Sequence, residues 1–310
     1  MKRLSVVIPF YGNPEDTINL VHQLQEQICS KSFEIIVSDD ASPIPFPQVE
    51  GVTVVRREFN GGFGANVNTG VEAATGEWIL ILNSDLTLPA NFLANILSAG
   101  EEEKSRAEGR GVILAPHIVG HSGESQWVGR KFPTTMHHAW EWFTPVARFR
   151  NTKFWHYMVG HDLACTGGQR ATPDWLMGAC MLLPRDLYLE VGGMDESFFM
   201  NSEEVDLQYR LAFLGIPRIF RGDIIVSHIG GGSSGTSRQR LQWVTNSRFK
   251  YEEKWGNPRR LKISLIVVTF INYIFNIVRS TRNHAITPQI ILKNELSAIR
   301  TASQQLGETL

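Results

Sequence analysis

Cysteine, net charge and long apolar runs are all in short supply in this chain. Its three cysteines, Cys29, Cys165 and Cys180, are odd in number and sit at no metal-knuckle or redox-pair spacing. That excludes a disulfide framework and points to a reducing, cytoplasmic setting. Thirty Lys plus Arg against thirty-one Asp plus Glu leave a net charge of −1, so no overall field draws the chain to nucleic acid and any anion-binding surface is local. Internal repeats and low-complexity tracts are missing too. After the basic start, the apolar run of "MKRLSVVIPFYG" is too short for a signal peptide and stops at Pro9, so it reads as a first strand.

Against these absences, 43% hydrophobic and 20% charged residues over 310 positions make a globular composition, enough for one large domain or two ordinary ones. Buried-strand runs ("LSVVIPF", "FEIIVSDD", "VTVVRRE", "EWILIL") alternate with segments of helical spacing, "PEDTINLVHQLQEQI" and the small-residue "GANVNTGVEAA". The alternation predicts an α/β fold with a mostly parallel sheet and helices on both faces. From about residue 120 to 174 no clean period survives, although Trp, His, Phe and Gly are frequent. A stretch of this length in a compact domain is usually functional. Regularity returns with "WLMGACMLLP", a helix ending at Gly215 and the strand "DIIVSH".

Three early strands end in polar groups. Tyr11, Gly12 and Asn13 follow the first, Asp39 and Asp40 end the second, and Asn83, Ser84 and Asp85 follow the fourth. One such cluster is an ordinary turn. Three on one edge of a parallel sheet face one crevice, where open α/β sheets hold ligands. The loop "FNGGFGANVNTG" carries Gly61, Gly62 and Gly64 and opens a helix, serving either packing or an anionic ligand. It is neither a dinucleotide fingerprint nor a phosphate loop, since its spacing differs and no Gly-Lys-Ser/Thr follows. Glu203, Glu204 and Asp206 open another helix. They suit its dipole, yet Phe198, Phe199 and Met200 beside them also suit a general base. His228 ends a strand ahead of "IGGGSSG", as a surface residue or as part of a closing ligand loop.

In order and spacing, "VVIPFYGN", "IIVSDDAS", "NGGFGANVNTG", "ILNSDLTL", "WLMGACMLLPRDLYLEVGGMDESFFMNSEEVDLQYRLAFLG" and "VSHIGGGSS" resemble the family 2 glycosyltransferases of the GT-A fold, over residues 1 to about 255. The likeness is to bacterial enzymes that move rhamnose or a related sugar onto lipid-linked or polysaccharide acceptors. It implies that Pro9, Tyr11 and Asp39 hold the nucleoside, with Asp39 accepting from a pyrimidine ring. Asn60, Gly61 and Asn68 border the nucleotide, with Asn83 and Ser84 beside it. By the same likeness Asp85 matches the last acid of the family's metal motif, with His228 near the cation and diphosphate, and the cation is Mg²⁺ or Mn²⁺. Glu204 matches the catalytic base, and Trp175, Gly178, Ala179 and Glu203 border donor sugar and acceptor.

Two departures mark this chain. Asn83 stands where the motif usually begins with Asp, giving a neutral first ligand. Glu203–Glu204 replaces a Glu-Asp pair, so either carboxylate could be the base, with the helical register favouring Glu204. The implied donor is a dTDP- or UDP-linked sugar, and the acceptor a glycan or polyprenyl-linked glycan. A nucleotidyltransferase would need a basic glycine-rich loop after the first strand, and "PFYGNPED" has none. A non-catalytic sugar-binding relative is the other alternative. Residues 1–256 are expected to form the glycosyltransferase domain and 257–310 a helical extension of two helices. "ISLIVVTFINYIFNIV" is sixteen residues, short of the roughly 20 needed to span a bilayer. With its basic flanks it suits either a membrane surface, on the inner face of the cell membrane, or a homodimer contact.

Overall fold

A strand covered on both faces is apolar throughout rather than alternating. In the computed structural model, which describes residues 3–228 and 236–307, β1 (Leu4–Phe10) is such a strand, with all seven residues buried. The chain continues through α1 (Glu15–Gln25), β2 (Phe33–Asp39), β3 (Val52–Arg56), α2 (Phe63–Glu72), β4 (Trp78–Leu82), β5 (Leu86–Thr87), α3 (Phe92–Arg106), β6 (Ile113–Val119) and β7 (Gly129–Arg130). Next come α4 (Thr135–Trp142), a 3-10 turn (Thr144–Phe149) and α5 (Lys153–Met158). They are followed by β8 (Arg170–Ala171), β9 (Trp175–Leu176), β10 (Cys180–Pro184), α6 (Arg185–Glu190), α7 (Glu203–Phe213) and β11 (Arg218–His228). Three helices close the chain: α8 (Ser237–Trp255), α9 (Pro258–Ser280) and α10 (Pro288–Gly307). The glycine-rich stretch after His228, read from the sequence as a ligand or closing loop, lies outside the described residues.

The main sheet runs β3-β2-β1-β4-β10-β6-β11-β5, with β8 also paired to β11. Its long neighbours β1/β2, β1/β4, β2/β3 and β6/β11 are parallel, while β10 lies antiparallel between β4 and β6. Small residues let α2 lie close on this sheet. A Cβ on Gly70 would meet Val7 Cγ1 at 2.5 Å, so the helix there has room for hydrogen only. Helix α3 approaches β10 in the same way at Gly100. Trp78, Phe10, Phe92 and Phe220 fill the core.

Two compact units result. The first takes residues 1–131, 164–199 and 203–234, and the second takes 132–163, 200–202 and 235–310. The second unit therefore includes the middle of the stretch without clear period, residues 132–163, and helix α8. Two short helices with Thr caps give that stretch its regularity: Thr134 accepts from His137 N–H and Thr152 from Trp155 N–H. Its apolar centre is small, with Phe249, Leu261, Leu265, Ile299 and Ala302 in contact. A hydrogen-bonded polar group is also part of its interior. Trp142 Nε1–H donates to Thr269 Oγ1 at 2.9 Å, Thr144 N–H donates to Asn272 Oδ1 at 2.8 Å, and Asn272 Nδ2–H donates to Trp142 O at 2.9 Å. Glu295 joins the same group, and burial raises its carboxyl above the ordinary 4.5. Among the described residues α9 is the one helix long and apolar enough to cross a membrane, by length and composition alone. The sixteen-residue run understated it, because the helix extends to twenty-three residues beyond the flanking Lys262 and Arg279.

Candidate active site

Strand register sets the level of the polar clusters. Phe10 pairs with Asp39, which pairs with Arg56, and Val7 pairs with Ile81. Three further residues along both strands bring Ser84 level with Phe10. The ends of β1, β2 and β4 thus share one edge of the sheet, as parallel strands require. Because β10 runs the other way, its start meets the same edge: Cys180 pairs with Leu82 and Asn83 N–H donates to Ala179 O at 2.8 Å.

A second pairing completes that edge. Antiparallel β5 sets Leu86 opposite His228, so Asp85, one residue earlier, reaches the ring. His228 Nε2 lies 2.9 Å from Asp85 Oδ1, joining residues 143 positions apart in the sequence. On the ring's other side, Gln126 Nε2–H donates to His228 O at 3.1 Å. That turns Gln126 Oε1 toward His228 Nδ1, 2.6 Å away. A ring keeping one proton therefore holds it on Nδ1 and directs its Nε2 lone pair at Asp85.

Whether this edge suits a divalent cation follows from its donors. Asp85 supplies a carboxylate oxygen and His228 a ring nitrogen. Asn83 Oδ1 is buried and, among the described residues, accepts no hydrogen bond. With His228 Nε2 unprotonated, it and Asp85 present two ligand atoms that fit a divalent cation, and Asn83 Oδ1, two positions before Asp85, is a third candidate ligand. Among the described residues no three His, Cys, Asp or Glu side chains gather into a metal cluster by themselves. The residues fit an open cation site rather than a closed structural one.

Helix α7 brings in the candidate base. Gln208 holds the helix to β9, donating to Leu176 O at 2.7 Å and accepting from Leu176 N–H at 2.8 Å. Glu204, one turn earlier on the same face, lies against Gly178, where an added Cβ would come within 3.2 Å of Glu204 Cβ. Gly178 precedes Ala179, whose carbonyl holds Asn83. Glu204 is partly exposed. Glu203 turns instead toward the start of α2, where a Cβ on Gly64 would lie 3.3 Å from its own Cβ, and it is buried. Asn201 and Ser202 lead into α7 with φ of +68° and +75°, a conformation that non-glycine residues hold only at some strain.

The remaining expected site residues are more deeply committed to the protein. Asp39 is fully buried: Oδ1 accepts from Ser42 N–H at 2.8 Å, and Oδ2 accepts from Phe46 N–H at 3.0 Å and from Arg56. Of these donors only the Arg56 side chain is well exposed. Gly61 and Gly62 N–H groups do receive an anion, but it is the chain's own Asp40, at 2.9 Å to each oxygen, with Arg57 Nε 3.0 Å away. Burial nonetheless raises the Asp40 carboxyl above its ordinary value, against those donors and Arg57. Gly62 has φ +88°, and a Cβ there would stand 1.9 Å from Phe199 O, so only glycine fits. Asn60 Oδ1 accepts from Gly62 N–H at 3.1 Å. The Asn68 amide bonds Met194, Glu196 and Tyr188, which ties α2 to the loop before α7. Trp175 is buried, donating to Lys131 O at 2.9 Å with Arg130 over its ring. Pro9 is buried and Tyr11 exposed.

Sequence reasoning missed Gln126 and Arg56 as parts of this edge. Gln126 lies where periodicity failed and carries no signal of its own. Arg56 and Asp40 were visible as charges at strand ends, but their partners were not.

With this edge described, the relatives can be placed beside it. The chain belongs to glycosyl transferase family 2, whose model matches residues 5–161. An O-antigen biosynthesis protein of Myxococcus xanthus is 25% identical over 224 residues, 69% of this chain and 16% of that protein. An N-acetylglucosaminyl-diphospho-decaprenol L-rhamnosyltransferase of Mycobacterium tuberculosis is 39% identical over 61 residues, 20% of each. The chain thus spans well under two thirds of the length of these curated relatives. Among solved structures, GalNAc-T7 with UDP, GalNAc and Mn²⁺ matches 82% of this chain and 50% of its own, with a TM-score of 0.52 and 17% identity. The shared fold is GT-A.

Proposed function

We propose that the chain is an inverting glycosyltransferase that moves a sugar, rhamnose being favoured, from a dTDP- or UDP-linked donor to a glycan or polyprenyl-linked glycan acceptor. The observation that carries this is the Asp85–His228 pair, 2.9 Å apart at the sheet edge, with Glu204 packed on Gly178 beside the same strand ends. Relatives named for O-antigen biosynthesis and for rhamnosyl transfer support the substrate class.

In this reading Asp85, His228 and Asn83 Oδ1 would hold Mg²⁺ or Mn²⁺ together with the donor diphosphate. The cation would neutralise the charge that gathers on the leaving nucleoside diphosphate. Gln126 keeps the His228 ring in place. Glu204 accepts the proton of the acceptor hydroxyl as that oxygen attacks the anomeric carbon, and the bond to diphosphate breaks on the opposite face. The developing charge on the sugar resembles that of glycoside hydrolysis. Tyr11 and the Asp39 turn support the base, with a pyrimidine N–H taking the place of Arg56. A cytoplasmic setting for the reaction belongs to the same reading.

The test is release of nucleoside diphosphate by the purified chain from a panel of dTDP- and UDP-sugars, with Mg²⁺, Mn²⁺ or excess chelator and a glycan acceptor. Acceptor-dependent release that chelator stops is the expected result. Donor binding without turnover on any acceptor would mean a sugar-binding relative. Full activity in chelator would remove the cation from the reading.

A further inference from the structure

Helix α9 is packed inside out. Its buried positions, Leu261, Leu265, Thr269, Asn272 and Asn276, follow one another at helical spacing and are mostly polar in the second half. Its exposed positions are Ile263, Val267, Phe270, Ile271, Ile274, Ile277 and Val278, with Ile263 and Ile274 each 64% exposed. In a water-soluble helix these two faces would be exchanged. Seven large apolar side chains on one arc exceed the scattered exposure found on ordinary surfaces.

The charges say what covers this arc. Between Glu253 and Glu295 there is no acid, while Lys254, Arg259, Arg260, Lys262, Arg279, Arg282 and Lys293 are all present and all exposed. At about 100° per residue, Arg259 and Arg260 fall on the same arc as Ile263, Phe270 and Ile274. They also stand in the first turn of α9, where the helix dipole disfavours cations. Helix stability does not explain them, and an external anion does. A second copy of the chain fits poorly: antiparallel pairing would set Arg259, Arg260 and Lys262 against Arg279 and Arg282, and parallel pairing would set like against like.

A spanning helix does not fit either. Asn272 is fully buried and hydrogen-bonded to Trp142 and Thr144, and Trp142 Nε1–H donates to Thr269. The inner face is thereby held by other elements of its own unit, leaving one side open.

We infer that α9 lies flat on an anionic lipid surface, its apolar arc between the acyl chains and its arginines among the phosphates. This inference does not depend on the catalytic reading.

Sedimentation of the full-length protein with vesicles tests it, comparing pure phosphatidylcholine with a mixture holding about a third phosphatidylglycerol. The protein should pellet with the anionic vesicles only. It should come off in high salt or carbonate, because surface charge attraction is screened. Arg259→Glu/Arg260→Glu and, separately, Phe270→Asp/Ile274→Asp should each weaken binding about tenfold or more. All four side chains are exposed, so circular dichroism should match the parent, and a variant that loses its fold is replaced by the milder Arg259→Gln/Arg260→Gln. Failure of the parent protein to bind anionic vesicles would overturn the inference, as would binding that either variant leaves unchanged. Resistance to carbonate would indicate a spanning helix instead. A dimer that the Phe270→Asp/Ile274→Asp variant converts to monomer, with vesicle binding unaffected, would assign the arc to a second subunit.

Discussion

The two compact units use polar groups in opposite ways. In the first, a large apolar cluster fills the centre, and the candidate site residues Asp85, His228 and Asn83 lie at strand ends outside it. In the second, a small apolar centre lies beside the hydrogen-bonded Thr269, Asn272 and Glu295, and α9 turns apolar side chains outward. A polar group that is exposed at an edge is free to do chemistry. One that is buried must first satisfy its neighbours, and removing it leaves their donors and acceptors unpaired. On the proposed reading, the same residue types serve catalysis in one unit and folding in the other.

Mutations can break that comparison. The largest effect is expected from Asp85→Ala. Activity should fall by at least about 10²-fold, as for loss of one charge-stabilising group, while the melting temperature stays unchanged. A lowered melting temperature would mean that the edge is structural after all. Glu204→Gln should reduce turnover by about 10²-fold or more, the scale of a lost general base, with nucleoside diphosphate binding retained in calorimetry. Glu203→Gln should affect turnover less; if it is the crippled variant, the two glutamates exchange roles.

The second unit answers in stability, not rate. Asn272→Ala strips partners from Thr144 N–H and Trp142 O and should destabilise by about 2–3 kcal/mol in chemical denaturation. Exposed Ile274→Ser should change stability by no more than about 0.5 kcal/mol. Equal losses would erase the inside-out picture of α9.

The smallest effect concerns pH. Burial raises the Glu295 carboxyl above 4.5, so on raising the pH the unfolded chain gives up this proton first. Stability then falls as pH climbs from about 4.5 until the folded carboxyl has ionised too. Glu295→Gln should flatten that fall in a series of thermal melts and leave the protein more stable near neutrality. A pH profile identical to that of the parent would place the titration elsewhere.

Much of the first unit was legible before any coordinates. β1, β2 and β4 announce themselves because a strand buried on both faces must be apolar throughout, and parallel strands must end together. The second unit was far less so. Its helices α4 and α5 are short, and α9 carries its apolar residues on the wrong side, so hydrophobic periodicity marked a helix without telling in from out. Burial is a property of neighbours, and Asn272 becomes an interior residue only once Trp142 and Thr144 are beside it.

The division is the same at the active edge. The amino-acid order alone determined which groups end the strands, that Gly62 precedes a helix, and that acids open α7. Only the tertiary structure decided that β10 runs antiparallel and brings Gly178 to Glu204. It alone set β5 against β11, so that Asp85 meets His228, and it alone placed Gln126 behind that ring. Local pattern reports the period of the backbone, but contacts between residues a hundred positions apart depend on strand order and direction, which no single segment encodes.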